Sequence, residues 1–184
     1  MNISKQIVQH LEKLAAHGPK AVEAVLLNPP DNGKYIAGVT VDGPPQVHVS
    51  LTLQDYDRFS AALRRLGVSF GPDMAEIPPT TGLSRWAEEV VQQLSYLEEP
   101  LTVLELTPAD GVAQLRSAGP TIDDQTRLYW EVVLSLEPQP AATLTRYRWS
   151  PELDDREVVV YPVAFATLGR LAQDLAQSLV QVAA

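Results

Sequence analysis

The stretch QVHVSLTLQDYDRFSAALRRLG, from Gln46 to Gly67, alternates apolar and polar residues at Val47, Val49, Leu51 and Leu53. It then spaces its apolar residues three and four apart at Tyr56, Phe59, Ala62, Leu63 and Leu66. Period two marks a half-buried strand, and the wider spacing marks one face of a helix. The expectation is a strand running straight into a helix that opens on Thr52-Leu53-Gln54-Asp55, close to a capping box, and closes on Gly67. The segment REVVVYPVAFATLGRLAQDLAQSLV, from Arg156 to Val180, repeats the pattern. At an offset of 109 positions Val49 falls on Val158, Leu51 on Val160, Tyr56 on Phe165, Phe59 on Leu168 and Leu66 on Leu175. Phe59 and Leu168 are equivalent core anchors in this alignment.

Upstream of Gln46, a helix is expected from about Ile3 to Ala16, with Ile3, Ile7, Leu11 and Leu14 on one stripe, stopped by His17-Gly18-Pro19. Ala21 to Leu27 and Tyr35 to Val41 read as strands, and Asn28 to Gly33 and Asp42 to Pro45 as the turns of a three-stranded meander ending in Val47 to Leu53. Residues 1–70 thus form a helix, three strands and a helix, and proline-rich residues 71–82 read as a linker. Downstream, Glu89 to Leu97 matches Gln6 to Leu14 at an offset of 83, with Trp86 on Ile3, and Leu101 to Leu106 matches Val22 to Leu27 at an offset of 79. The change of offset from 79 to 109 leaves room for 30 further residues in the second copy. Gly111 to Ala118, Arg127 to Leu136 and Thr143 to Trp149 are the strand candidates there. The expected fold class is therefore α+β, with internally duplicated units, antiparallel sheets and the helices of each unit on one face. Residues 83–184 form the second, expanded unit, a helix, about five strands and a helix.

The 184 residues are 45% apolar and hold no apolar run of about 18 that could span a bilayer, so a soluble globular protein without a membrane role is expected. The amino terminus lacks the pattern of a signal peptide and there is no cysteine, both of which favour the cytoplasm. The net charge of −9 arises after residue 70, where seven Lys or Arg face seventeen Asp or Glu. Such acidity disfavours nucleic acid and permits a basic protein partner.

His10, His17 and His48 are the only histidines. They lie on the flank of a helical stripe, at a helix carboxyl end and on the polar face of a strand, positions that favour capping or simple exposure over acid–base work. The acid pairs Asp123-Asp124, Asp154-Asp155 and Glu98-Glu99, and the near pair Asp55 and Asp57, fall in turns or at helix ends, where a structural role is expected. No twelve-residue window supplies a calcium loop, and no phosphate loop, dinucleotide fingerprint, nucleophile elbow or zinc-protease motif occurs. Neither a cofactor nor a metal is implied, and the reading leans away from an enzyme.

The order helix, three strands, helix resembles that of the double-stranded RNA-binding domain. The start of the second helix, where that family carries a basic cluster, reads Gln54-Asp55-Tyr56-Asp57-Arg58, so none of its RNA contacts carries over. Small acidic secretion chaperones share the opening helix and meander as a likeness of fold order alone. Tyr, Trp and Arg dominate protein interfaces, and the second unit concentrates them. The expected function is a non-enzymatic protein-interaction module, an adaptor or chaperone-like protein. Its partner-binding surface is expected within residues 111–155, at Tyr129, Arg146, Arg148 and Trp149. The alternative is a small-molecule-binding or catalytic protein with a pocket between the two units.

Overall fold

The structure, a computed structural model, describes residues 2–27, 35–41, 45–71 and 77–183. The expected turns at residues 28–33 and 42–44, and residues 72–76 of the expected linker, lie outside the described residues. Helix α1 (Ile3–His17) begins where the Asn2 side chain accepts the Lys5 N–H at 2.9 Å. It ends where Gly18, at a φ of 80°, donates its N–H to the Leu14 carbonyl. Its positive φ suits glycine, because a side chain there would be strained, but the ψ of 177° is not that of the left-handed cap expected from the sequence. A 3₁₀ turn, Pro19–Val22, leads into β1 (Val25–Leu26), β2 (Tyr35–Val41), β3 (Val47–Tyr56) and β4 (Ser60–Phe70), an antiparallel meander.

Helix α2 (Thr81–Gln93) opens the second half, followed by β5 (Leu101–Thr107), β6 (Val112–Ser117), β7 (Thr121–Asp123), β8 (Thr126–Ser135) and β9 (Ala141–Trp149). Two short strands, β10 (Glu157–Val158) and β11 (Tyr161–Ala164), precede the last helix, α3 (Phe165–Ala183). The strands form one antiparallel sheet of order β1-β2-β3-β4-β9-β8-β6-β5, with β7 beside β8. The order is that of two meanders, each preceded by a helix, which meet where β4 pairs with β9 from Arg65↔Thr145 to Ser69↔Ala141. Beyond that register the two strands part and the chain fills the gap: β10 pairs with the end of β9, and β11 with the start of β4. Since β4 and β9 are themselves antiparallel, β10 and β11 run in opposite directions.

The helix expected over Gln54 to Gly67 does not form. Strand β3 continues to Tyr56, the chain reverses at Asp57-Arg58-Phe59, and Ser60 begins a second strand. The helical spacing is produced by an irregular register: Thr52 pairs with Arg65 but Leu53 pairs with Leu63. The extra residue of this bulge puts Leu63 and Leu66 three apart although both face the core. On either side the period is two, with Ala61 and Leu63 buried before the bulge and Leu66, Val68 and Phe70 after it. Gly67 consequently closes no helix and lies within β4 opposite Ser50. Phe59, expected in the core, lies at the hairpin tip with 70% of its surface exposed.

Among the described residues there are three α-helices instead of four, and the duplicated helix–meander–helix units with a helix pair on one face of each sheet do not appear. Deprived of a helix from its own half, α1 packs against α3, and α2 packs against α3 as well. Ile3, Ile7, Leu11 and Leu14 are fully buried, as their spacing predicts. The α1–α3 contact is close: the Ser4 N–H donates to Gln173 Oε1 at 3.1 Å, and a Cβ on Gly169 would stand 2.7 Å from the Ser4 carbonyl oxygen. Trp86 of α2 packs edge-on against Phe70 and donates its indole N–H to Ser178 Oγ of α3 at 3.0 Å. A buried indole N–H thereby finds the acceptor it requires.

Candidate binding cleft

Alternation along β8 sends Trp130, Val132 and Leu134 to the core and Arg127, Tyr129, Glu131 and Val133 to the other face of the sheet. The register with β9 sets Tyr147 opposite Tyr129 and Trp149 opposite Arg127, while β6 sets Arg116 opposite Glu131. Cations and rings therefore alternate across this face. Arg116 lies over Tyr129 at 5.0 Å, Tyr129 stacks on Tyr147 at 5.9 Å, and Arg156, from the segment after β9, lies 4.1 Å over Tyr147. Glu131 is buried and accepts hydrogen bonds from Arg116, at 2.9 Å, and from Arg156. One carboxylate thus serves two guanidinium groups, which leaves an excess of positive charge in a chain that is acidic overall.

At the outer end of this array, Arg127 lies 5.5 Å over the Trp149 ring and makes no ion pair among the described residues. An open cleft of about 290 Å³ separates the two arginine–aromatic pairs, lined by Arg116, Ser117, Pro120, Arg127, Tyr129 and Trp149. Trp149 keeps 37% of its surface exposed, whereas Tyr129, which also lines the cleft, is buried by its neighbours. Cations held over aromatic faces, with donors still free, are suited to a carboxylate that approaches together with an apolar or aromatic group.

The four residues singled out in the sequence are divided by the sheet. Tyr129 and Trp149 share the cleft. Arg146 and Arg148 point to the opposite face, because they alternate with Tyr147 and Trp149 along β9. Arg146 sits between Trp130 and Tyr161, at 5.4 and 5.0 Å from their rings, and bonds Glu99 Oε1 at 2.5 Å; the two side chains are 11% and 1% exposed. Thr121 donates to the same Glu99 oxygen at 2.7 Å. Arg148 is solvated and paired with Glu157 at 2.6 Å. The cleft residues Arg116 and Arg127 were not singled out. Their pairing with Tyr129 and Trp149 depends on the β8–β9 and β6–β8 registers, and no local pattern encodes those.

Asp57 accepts the N–H groups of Phe59 and Ser60 and the Ser60 hydroxyl, each at 2.7 Å, and these bonds hold its carboxyl below the usual carboxylate range. His48 is exposed on β3 and hydrogen-bonds Thr40 at 3.1 Å. His10 is half-buried, and its Nε2 has no hydrogen-bond partner among the described residues. No three His, Asp or Glu side chains among the described residues are grouped to hold a metal ion, and no helix is long and apolar enough to cross a membrane. No protein-family model matches the chain, and no curated protein or solved structure shows significant similarity to it.

Proposed function

We propose that this protein is a non-enzymatic interaction module that receives an extended protein segment in the cleft between Arg116–Tyr129 and Arg127–Trp149. The observation that carries this reading is the pairing of exposed Trp149 with Arg127, a guanidinium without a carboxylate partner among the described residues. Tryptophan and arginine in a partly enclosed pocket are the side chains that most often dominate binding energy. The overall acidity favours a basic partner at long range, but the cleft itself favours a carboxylate flanked by an aromatic or apolar side chain. A partner carrying such a motif within a basic surface satisfies both. Of the residues expected from sequence, Tyr129 and Trp149 line this cleft, and Arg146 and Arg148 lie on the far face of β9.

Selection of displayed random peptides on the full chain tests this reading. Sequences enriched in Asp or Glu beside an aromatic residue are expected, with binding lost in the Arg127→Ala, Trp149→Ala double variant. Both residues are exposed, so the variant should keep its fold. Absence of enrichment, or selected peptides that bind the double variant unchanged, would overturn the proposal.

A further inference from the structure

Apart from this cleft, the β3–β4 hairpin, the second half of α1 and the start of α3 enclose an open groove of about 800 Å³. Its wall is largely apolar, with Val8, Ala15 and Ala16 from α1 and Ala164 and Phe165 from the β11–α3 junction. Phe59 stands at the rim. The tip that carries it is rigid: Asp57 fixes the turn through three hydrogen bonds, and the Phe59 carbonyl accepts the Phe165 N–H at 3.0 Å. A large apolar side chain that is 70% exposed on a pre-organised turn loses little further entropy on binding.

Beside Asp57, whose carboxylate is engaged by its own turn, two more charged residues line the same groove, Glu12 of α1 and Arg58 of the hairpin tip. Neither makes an ion pair among the described residues, with each other or with any other group. Arg58 instead lies over the Phe59 ring at 5.2 Å. One surface therefore holds a knob, an apolar hollow and, apart from the turn-bound Asp57, one charge of each sign. We propose that the groove is occupied by a second copy of this chain, related by a twofold axis. The partner's Phe59 enters the hollow and the partner's Arg58 meets Glu12. A twofold makes every such contact twice, so a surface that carries both a feature and its complement closes on itself. A different partner would have to supply the knob and both charges independently.

Sedimentation equilibrium of the full chain over a concentration series tests the proposal. The wild type is expected to be a dimer, and Phe59→Ala, at a solvent-exposed site, is expected to be a folded monomer by circular dichroism. Arg58→Glu and Glu12→Arg should each raise the dimer dissociation constant about tenfold, because each disrupts two symmetry-related pairs. The double charge swap should restore dimerisation, which attraction to an unrelated partner would not do. A wild type that stays monomeric to high concentration, a dimer indifferent to Phe59→Ala, or a swap that fails to recover association would each refute it.

Discussion

Glu99 and Arg146 form the most enclosed ion pair among the described residues, one in the loop after α2 and the other on β9. Removing one partner strands a charge away from water, so Glu99→Ala or Arg146→Ala is expected to cost roughly 3–5 kcal/mol in urea unfolding. Replacing both by apolar residues of similar volume should be nearly neutral. Arg148→Ala breaks only a half-exposed pair with Glu157 and is expected to cost less than about 1 kcal/mol. Loss of binding in an Arg146 variant would accordingly report unfolding. His10 supplies a pH dependence. Burial first, and then the Lys13 charge, hold its imidazole below the ordinary value of 6.5. The unfolded chain therefore takes up the proton at a higher pH than the folded one. The contribution of His10 to stability is complete above about pH 6.5 and declines as the pH falls through the folded-state value. Wild type should lose stability relative to His10→Gln over that acid range, and parallel urea midpoints at the two ends of it would contradict the assignment.

The β3–β4 hairpin shows at the scale of elements why equal apolar spacing does not mean equal structure. Phe59 and Leu168 coincide in the sequence alignment, yet Leu168 is fully buried in α3 and Phe59 is exposed at a turn. Leu168→Ala is expected to cost roughly 2–5 kcal/mol and Phe59→Ala less than about 0.5 kcal/mol when measured on the monomeric protein. The helix contact makes a second distinction. Ala ordinarily improves a helix over Gly by about 1 kcal/mol. In α3, Gly169→Ala should instead lower the thermal midpoint, because the new methyl meets the backbone of α1 at Ser4, which cannot swing aside as a side chain can. A raised midpoint would mean that α1 and α3 have room to separate.

For the whole molecule, the β4–β9 and β4–β11 pairings and the α1–α3 contact tie residues near both ends of the chain into one core cluster. Tryptophan fluorescence, which reports only residues after position 85, and far-ultraviolet circular dichroism, which reports the whole chain, should therefore follow a single urea transition. A peptide of residues 1–70 would leave the α1 stripe without α3 and the edge of β4 without β9 and β11. It is expected to show no cooperative transition, and a separate melt of that fragment would establish the first half as an independent domain.

The sequence by itself determined those features whose signals are local. Four apolar residues at helical spacing make α1, Gly18 ends it, and strict alternation in Val47–Leu53 makes a strand, because side-chain direction follows backbone period. The alternation of Trp130 with Tyr129 likewise separated a core face from an outer one. Tertiary structure alone decided the fate of Gln54–Gly67, where a bulge shifts the strand's phase by one residue and imitates a helical step. It also decided which arginine meets which ring. Arg146 and Arg127 are both next to an aromatic residue or near one in the chain, yet one is enclosed by Glu99 and Trp130 and the other lies over Trp149 with no ion pair among the described residues. That difference depends on strand register and on segments far apart in the chain, and a one-dimensional pattern carries neither.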